Sequence, residues 1–397
     1  MANDLFSPAD NVHVEFYIPT PGSFIWNVSR WDSGDTWGGS STFAWTDLKC
    51  ELVTANVTRG AETNMGVIVD LPRTTANIVL QTTTYDPFST GIIHPGTEVR
   101  ITYTPEPDSD PESFNYLFVG VIGSCRSSYD AFGNTLVTIE CVTNLEDLFN
   151  TKIASYTVAP FTTPYSLLSS LFSSYGFTLD HVGLFDDTWN MAAETYTDTT
   201  IGQITKNALT VGQSAISASA FGGLTYYSSG DMNFQIEQEP LWLFESTHSN
   251  DYYHVCMTDL NIVADSKELP SQIIATLTDG TVMSKSNQDL IDLYGSITYQ
   301  TDVAIDNTTD GQKWLDALTI SSRLRRVNSL SFPSIARTGL ISSYQFAPGA
   351  DWLFGVTAKV EYTINNSAVT DFYFITKQTD SITRTTWNTT LELWRGI

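Results

Sequence analysis

The sequence predicts a mainly β fold with a small α+β insertion, and three observations carry that reading. The first is composition. Of 397 residues, 42% are hydrophobic and 12% aromatic, but only 16% are charged, below the usual quarter. The polar surface must be built from Thr, Ser, Asn, Gln and Asp, and Thr-rich, aromatic-rich, Lys-poor chains favour strands. The second is strict apolar/polar alternation toward both ends of the chain, broken by helical spacing in the middle. The third is an internal repeat. TEVRITY at 97–103, a polar loop, NYLFVGVIGS and the closing strand LVTIECV at 136–142 are matched by TAKVEYT at 357–363, a polar loop, DFYFITKQTDS and TWNTTLELW at 386–394. The copies lie about 260 residues apart, a spacing of duplicated domains, not of a solenoid.

Residues 1–46 read as an arm with short extended pieces, Val12–Tyr17 and Ser23–Val28. From Asp47, Leu48, Cys50 and Leu52 alternate with polar residues and predict a half-buried strand, which Asn56 to Gly60 then turns. TANIVLQT (75–82) is a strand, and YDPFSTGIIHPG (85–96) is a loop set by its prolines and glycines. Strand 97–103 follows, then the acidic loop EPDSDPE (106–112), whose prolines do not suit a calcium loop. Tyr116–Ser124 and Thr135–Val142 form a long hairpin, completing a closed or nearly closed antiparallel barrel.

The middle differs. Thr163-Pro164 reads as a helix cap followed by proline at the first helical position, with Leu167, Leu168, Leu171, Phe172 and Tyr175 at helical spacing and Gly176 as the stop. A second helix spans about Thr200–Gly212, and SSGD joins Leu224–Tyr227 to Asn233–Ile236 as a hairpin. Beyond it, Ile273–Leu277 is a strand, 279–295 a loop, and Asp310–Arg326 a helix capped by Asp310. The resulting division is an arm (1–46), a first β-barrel domain (47–150), a small α+β domain (151–245) and a second β-barrel domain with one helix (246–397).

The net charge of -25 argues against a nucleic-acid binder. It suits a wall past which DNA slides without sticking. The N-terminus lacks a signal-peptide pattern, and no apolar run reaches the ~18 residues of a membrane span, so a soluble, cytoplasmically made protein is expected. The four cysteines form no CxxC pair. Cys125 and Cys141 flank the expected turn at Gly133-Asn134 and are either buried free thiols or a cross-hairpin disulfide.

No GxSxG, Walker, HExxH or GxGxxG motif is present, so no enzyme, cofactor or metal site is expected. His248, His254 and Cys256 lack a fourth zinc ligand and a recognisable spacing. Asp186-Asp187 and Asp108/Asp110 are carboxylate pairs of the kind that 44 acids produce by chance. One feature remains, WDSGDTWGGSSTFAWTDL, which sets Trp31, Trp37 and Trp45 among Gly, Ser, Thr and Asp. Such rings either stack on a sugar, as in a carbohydrate-binding adhesin or receptor-binding protein, or pack on a neighbouring subunit, where Trp is enriched. The second reading is preferred: Trp45 enters the first barrel strand, and Trp31 and Trp37 anchor the arm on a neighbour.

The ordered series WTDLKCELVTANVTRGAE, RTTANIVLQTTTYDPFSTGIIHPGTEVRITYT and YLFVGVIGSCRSS resembles the start of minor tail proteins of long-tailed bacteriophages, which form the tail or baseplate hub. The matching positions are Arg59-Gly60, Tyr85-Asp86-Pro87-Phe88, Pro95-Gly96 to Ile101, and Phe118-Val119-Gly120-Val121. Further on, LTVGQSAISASAFGGLTYYSSGDMNFQIEQ is similar to the family's helix, aromatic strand, turn and strand. Asp289, Tyr294 and Gly295 match a further element, although Ile291 and Asp292 fall near where the family has Ser. The resemblance covers about 45–397 and implies two tail-tube-like barrels per hub protomer and a homotrimeric, pseudo-sixfold ring. That ring joins a sixfold tube to a threefold tip and passes DNA without specific binding. The implied partners are a distal tail or tail-tube protein, a tape-measure protein and a fibre or tip protein, in a virion assembled in a bacterial host.

Overall fold

The computed structural model describes residues 12–19, 43–60, 63–64, 68–69, 71–103, 115–130, 135–181, 187, 189–218, 223–228, 241–244, 254–256, 259–263, 270–318, 326–333, 357–364 and 367–394. Trp31, Trp37, the 106–112 loop, the 133–134 turn, Asp186, the 233–236 strand and His248 lie outside them.

The N-terminal part supplies β1 (Val12–Pro19), β2 (Phe43–Asp47), β3 (Leu52–Gly60), the short β4 (Thr63–Asn64) and β5 (Ile68–Val69), then β6 (Arg73–Gln81), β7 (Glu98–Tyr103), β8 (Asn115–Tyr129) and β9 (Thr135–Val142). The middle supplies α1 (Asn144–Asn150), β10 (Lys152–Thr157), α2 (Pro164–Ser173), β11 (Leu179–His181), β12 (Thr195–Thr200), α3 (Ile201–Gly212), β13 (Ala215–Ala218) and β14 (Leu224–Tyr227). Then come β15 (Leu241–Phe244), β16 (His254–Cys256), β17 (Asp259–Val263), β18 (Gln272–Leu277), β19 (Val282–Ser286), α4 (Gln288–Tyr294), β20 (Thr298–Val303) and α5 (Thr308–Ala317). The chain ends with β21 (Arg326–Pro333), β22 (Thr357–Ile364), β23 (Ser367–Ile382) and β24 (Trp387–Trp394).

One sheet of 14 strands dominates, mostly antiparallel. Its path runs β16-β15-β22-β23-β3-β6-β9-β8-β7-β1-β2, with β24, β21 and β17 branching from β23. The repeat seen in the sequence is a repeat of topology. The spatial order β3-β6-β9-β8-β7 recurs as β17-β21-β24-β23-β22. Even the irregularity recurs: β8 carries an extra residue between Ile122 and Ser124, and β23 one between Ile375 and Lys377, each against its closing strand. A bulge bends and twists a strand, so both halves are bent at the same place. Among the described residues neither half closes on itself as a ring of strands; the strands of both lie in one continuous sheet.

Two hydrophobic cores result. One fills the first half-sheet with Val14, Phe16, Ile78, Ile101, Phe118 and Ile139, and also takes Ile382 and Trp387 from the second half. The other gathers α1 to α3 with residues of 273–318. There Trp314 Nε1 donates to Thr210 O at 2.9 Å and Gln213 Nε2 donates to Trp314 O at 2.8 Å. β1, read as part of an arm, has every second residue from Val12 to Ile18 buried and pairs with both β7 and β2.

Local chemistry explains where the strand and helix expectations held and where they failed. Thr163 caps α2 by accepting from Ser166 N at 3.2 Å, Pro164 opens the helix, and Gly176 ends the run at φ +82°. Lys49 to Glu51 is not strand but a 3-10 turn: Asp47 Oδ1 accepts from Lys49 N, and Leu48 and Leu52 are buried either side of exposed Cys50. Asn56 to Gly60 does not turn the chain; it is paired strand on both edges. The 279–295 loop contains β19 and α4, which Asn287 caps at Leu290 N. Asn307, not Asp310, caps α5, accepting from Asp310 N at 2.8 Å. α5 ends at Ala317, short of the expected Arg326. Cys125 faces Ile139 and Cys141 faces Ile122, so the two are out of register and free.

Gly120 shows what its motif is for. A Cβ there would collide with the Val142 carbonyl oxygen and the Phe118 ring. At Gly123 it would make only ordinary contacts, 3.5 Å from the Val142 side chain and 3.6 Å from the Glu140 carbonyl oxygen. G120A is therefore expected to cost about 1–3 kcal/mol in urea unfolding, and G123A to stay within about 0.5 kcal/mol of wild type.

Candidate functional site

The two half-sheets meet along one line, where β23 runs antiparallel to β3 from Lys377 opposite Gly60 to Ile382 opposite Ala55. β23 can serve both neighbours because it is long: its first part pairs with β22, and past the bulge the same edge takes β3. Under this joint lies a fully buried carboxylate, Asp380. Its Oδ1 accepts from Thr389 Oγ1 at 2.6 Å and from Trp387 Nε1 at 3.1 Å. Its Oδ2 accepts from Gln378 Nε2 at 2.7 Å and from Arg59 Nη2 at 3.4 Å. Arg59 is itself 7% exposed. A carboxylate can stay buried only with this many donors around it. Trp387 also packs on Tyr103 at 5.2 Å between ring centroids, and burial pushes the Tyr103 phenol far above its ordinary range. Arg384 Nε donates to Leu52 O at 2.7 Å and ties the β23–β24 turn to the start of β3. Arg59-Gly60 thus marks the joint: the arginine reaches across it, and the glycine ends β3 at φ +121°.

Trp45 lies at the other end of the sheet, half-buried on edge strand β2. The Arg100 guanidinium sits 4.3 Å above its ring and grips Glu15 with two bonds, Nε to Oε2 at 2.7 Å and Nη2 to Oε1 at 2.9 Å. These bonds to Glu15 hold the Arg100 pKa above its ordinary value. Tyr17 stands opposite Trp45 at 5.4 Å and stacks on Phe43 at 5.6 Å. Tyr17 and Phe43 are 38% and 44% exposed, so β2 ends the sheet in an aromatic ladder.

A third feature fixes the end of β8. Asp86, on the loop before β7, is 3% exposed and accepts from Ser127 Oγ at 2.7 Å, Tyr129 OH at 2.8 Å and Phe88 N at 3.2 Å. Burial raises its pKa, but the donors outweigh that and leave it below the ordinary carboxylate value. Phe88 beside it is 69% exposed and Tyr129 61%.

Of the singled-out carboxylate pairs, Asp187 alone lies among the described residues. Asp187 accepts from Tyr165 N at 2.8 Å, in the first turn of α2, and from Tyr226 OH at 2.5 Å. Burial raises its pKa. Its work is to satisfy a helix terminus. Among the described residues no group of three or more His, Cys, Asp or Glu could hold a metal, and no helix is long and apolar enough to cross a membrane.

No protein-family model and no curated protein matches the sequence. Solved structures do. A tail protein from Neisseria meningitidis MC58 matches at 10% identity with a TM-score of 0.58, over 97% of each chain. The 43 kDa tail protein of prophage MuSo2 from Shewanella oneidensis matches at 9% identity with a TM-score of 0.57, over 97% of this chain and 96% of that one. The chain has a phage tail-protein fold. Nearly the whole length takes part, so within the tail-protein fold the α/β layer and the duplicated sheet belong to one architecture. Asp380, Trp387 and Thr389 are the residues that sequence reasoning missed, and Arg59, singled out with Gly60, was read as part of a turn and not as the partner of a buried carboxylate. The spacing of Asp380, Trp387 and Thr389 across the β23–β24 hairpin carried a signal, an acid among hydrogen-bond donors on inward-facing positions. The partner Arg59 carried none visible before the topology was known.

Two outcomes follow. Asp380→Ala strands Arg59 without its carboxylate and is expected to cost about 3–5 kcal/mol in denaturant unfolding. Asp380→Asn keeps an acceptor for Trp387 and Thr389 and should lose less. Because the Asp86 pKa is depressed on folding, its contribution is present above the unfolded carboxylate value and vanishes as pH falls through the folded one. D86N should be less stable than wild type at pH 7, and that gap should close as melting is followed from about pH 5 down to pH 2.

Proposed function

We propose that the chain is a non-enzymatic structural component of a phage tail tip, a hub subunit whose two half-sheets act as two tube-like units. The observation that carries this reading is the duplicated five-strand order with its shared bulge, joined edge to edge within one chain. A subunit with two like units in tandem lets three copies present six, which matches a sixfold tube above to a threefold tip below. In this reading the half-sheets close as barrels in the ring, the net charge of -25 keeps passing DNA from sticking to the lumen, and the neighbours are a distal tail or tube protein, a tape-measure protein and a fibre or tip protein. The division into 1–46, 47–150, 151–245 and 246–397 is kept as the domain proposal, with 270–318 docked on the α/β unit. Trp31 and Trp37 are assigned to contacts with the adjoining ring. Trp45, held between Arg100 and Tyr17, favours packing over sugar binding at that position.

Imaging of intact virions tests this. Three copies in a ring at the distal end of the tail tube are expected, and a protein absent from virions or sited elsewhere would contradict the proposal. W31A/W37A should lower incorporation into tails; loss of glycan binding with normal incorporation would support an adhesin instead.

A further inference from the structure

The intramolecular joint uses one edge from each half, the part of β23 past its bulge and the free side of β3. Each half contains the counterpart of the edge that the other one spends. In the first half the counterpart of β23 is β8. On the β7 side it pairs with β7 only as far as Val121, and the last backbone bonds on that edge are Gly96 N to Ile122 O and Ile122 N to Thr97 O. Beyond them no strand lies along this edge among the described residues, although β9 continues on the other side to Tyr129. In the second half the counterpart of β3 is β17, whose hydrogen-bonded neighbour among the described residues is β21. Long unpaired edges are a liability that folds normally cover, and among the described residues two complementary ones are left.

The register fixes how they would meet. The ladder Ala55–Ile78–Ile139–Cys125 corresponds to Leu260–Leu330–Leu391–Gln378. Leu260 therefore stands where Ala55 does, and Asn261 where Asn56 does. Likewise Tyr129 closes the β8–β9 hairpin opposite Thr135 as Ile382 closes β23–β24 opposite Trp387. Ile382 faces Ala55 and Ser381 faces Asn56 across the existing joint.

We infer that β8 from Arg126 to Tyr129 pairs antiparallel with β17 from Leu260 to Val263 of a second copy, Tyr129 opposite Leu260 and Ser128 opposite Asn261. The contact is head-to-tail, so repeated copies form a ring or a filament. This deepens the hub reading, on which it rests for ring closure, by naming the strands that join subunits. Asp86 prepares the edge by fixing Ser127 and Tyr129 before any partner arrives. Ser127 occupies the position of Asp380, so the carboxylate at this joint comes from Asp86 on the neighbouring loop and not from the strand itself.

Disulfide trapping in the full chain tests the pairing. Directly opposed residues of an antiparallel pair lie within the Cα separation that a disulfide spans, and Ser128 and Asn261 are both exposed. With Cys50 and Cys125 replaced by Ser, S128C/N261C is expected to give reductant-sensitive covalent multimers. Each single variant alone should give none, and a mixture of the two singles only dimers. N56C/S381C, placed across the intramolecular joint, should close within one chain and leave its mass unchanged, which shows that the joint tolerates the chemistry. Self-association by light scattering without S128C/N261C multimers, or a chain that stays monomeric at every concentration, overturns the inference. Virion imaging separates the two claims: a tip ring without this cross-link keeps the hub reading and discards the joint, whereas absence from the tip discards the hub reading whatever the gel shows.

Discussion

The structure depends on one buried ionic contact. Asp380 and Arg59 come from residues 321 apart in the chain, and they meet beneath the only strands that bind one half-sheet to the other among the described residues. Burying a carboxylate is costly unless its acceptor capacity is used. Asp380 meets that demand by drawing Gln378, Trp387 and Thr389 from its own hairpin and Arg59 from the other half. The contact is a device for register as well as cohesion. A one-residue slip of β23 on β3 would turn Asp380 to the opposite face and strand both charges. Trp387 and Ile382 then carry the second half into the core of the first.

The same logic separates the two layers. The sheet supplies edges and length, while the α/β unit, with 273–318, has its own core sealed by the Trp314–Thr210 and Gln213–Trp314 bonds. Leu71 reaches from the sheet side into that core. Gly202 of α3 lets the layers approach closely, since a Cβ there would come within 3.0 Å of Leu71 and 2.9 Å of the Phe149 carbonyl oxygen.

Much of the fold was legible in the sequence. Alternation located β6, β7, β9, β18 and β24, because strands with one buried face must alternate. The Thr163-Pro164 signal located α2, because capping is local chemistry, and helical spacing located α3. The repeat was visible as a strand order and proved to be one. The failures share a cause: they lie where tertiary contacts override local pattern. NVTRG reads as a turn by composition, yet it is strand because β6 and β23 hydrogen-bond it on both edges. VMSKS and QDLIDLY read as loop because they are short and polar, and they are held by β18 and by the Asn287 cap. Trp45 was read onto the entry strand of the first barrel, and it lies instead on β2, next to β1 and away from β3. The Arg59–Asp380 joint could not be read from the sequence, because nothing in either segment announces a partner hundreds of residues away.

Native-state hydrogen exchange followed residue by residue would test the central claim, that the β3–β23 joint makes two half-sheets into one cooperative unit. Amides of β3 and of β23 from Lys377 to Ile382 should exchange through the same slowest opening, with one free energy for both halves. If the second half exchanged independently, opening at much lower free energy while β3 stayed protected, the halves would be separate units in contact, and the buried carboxylate would not be what unites them.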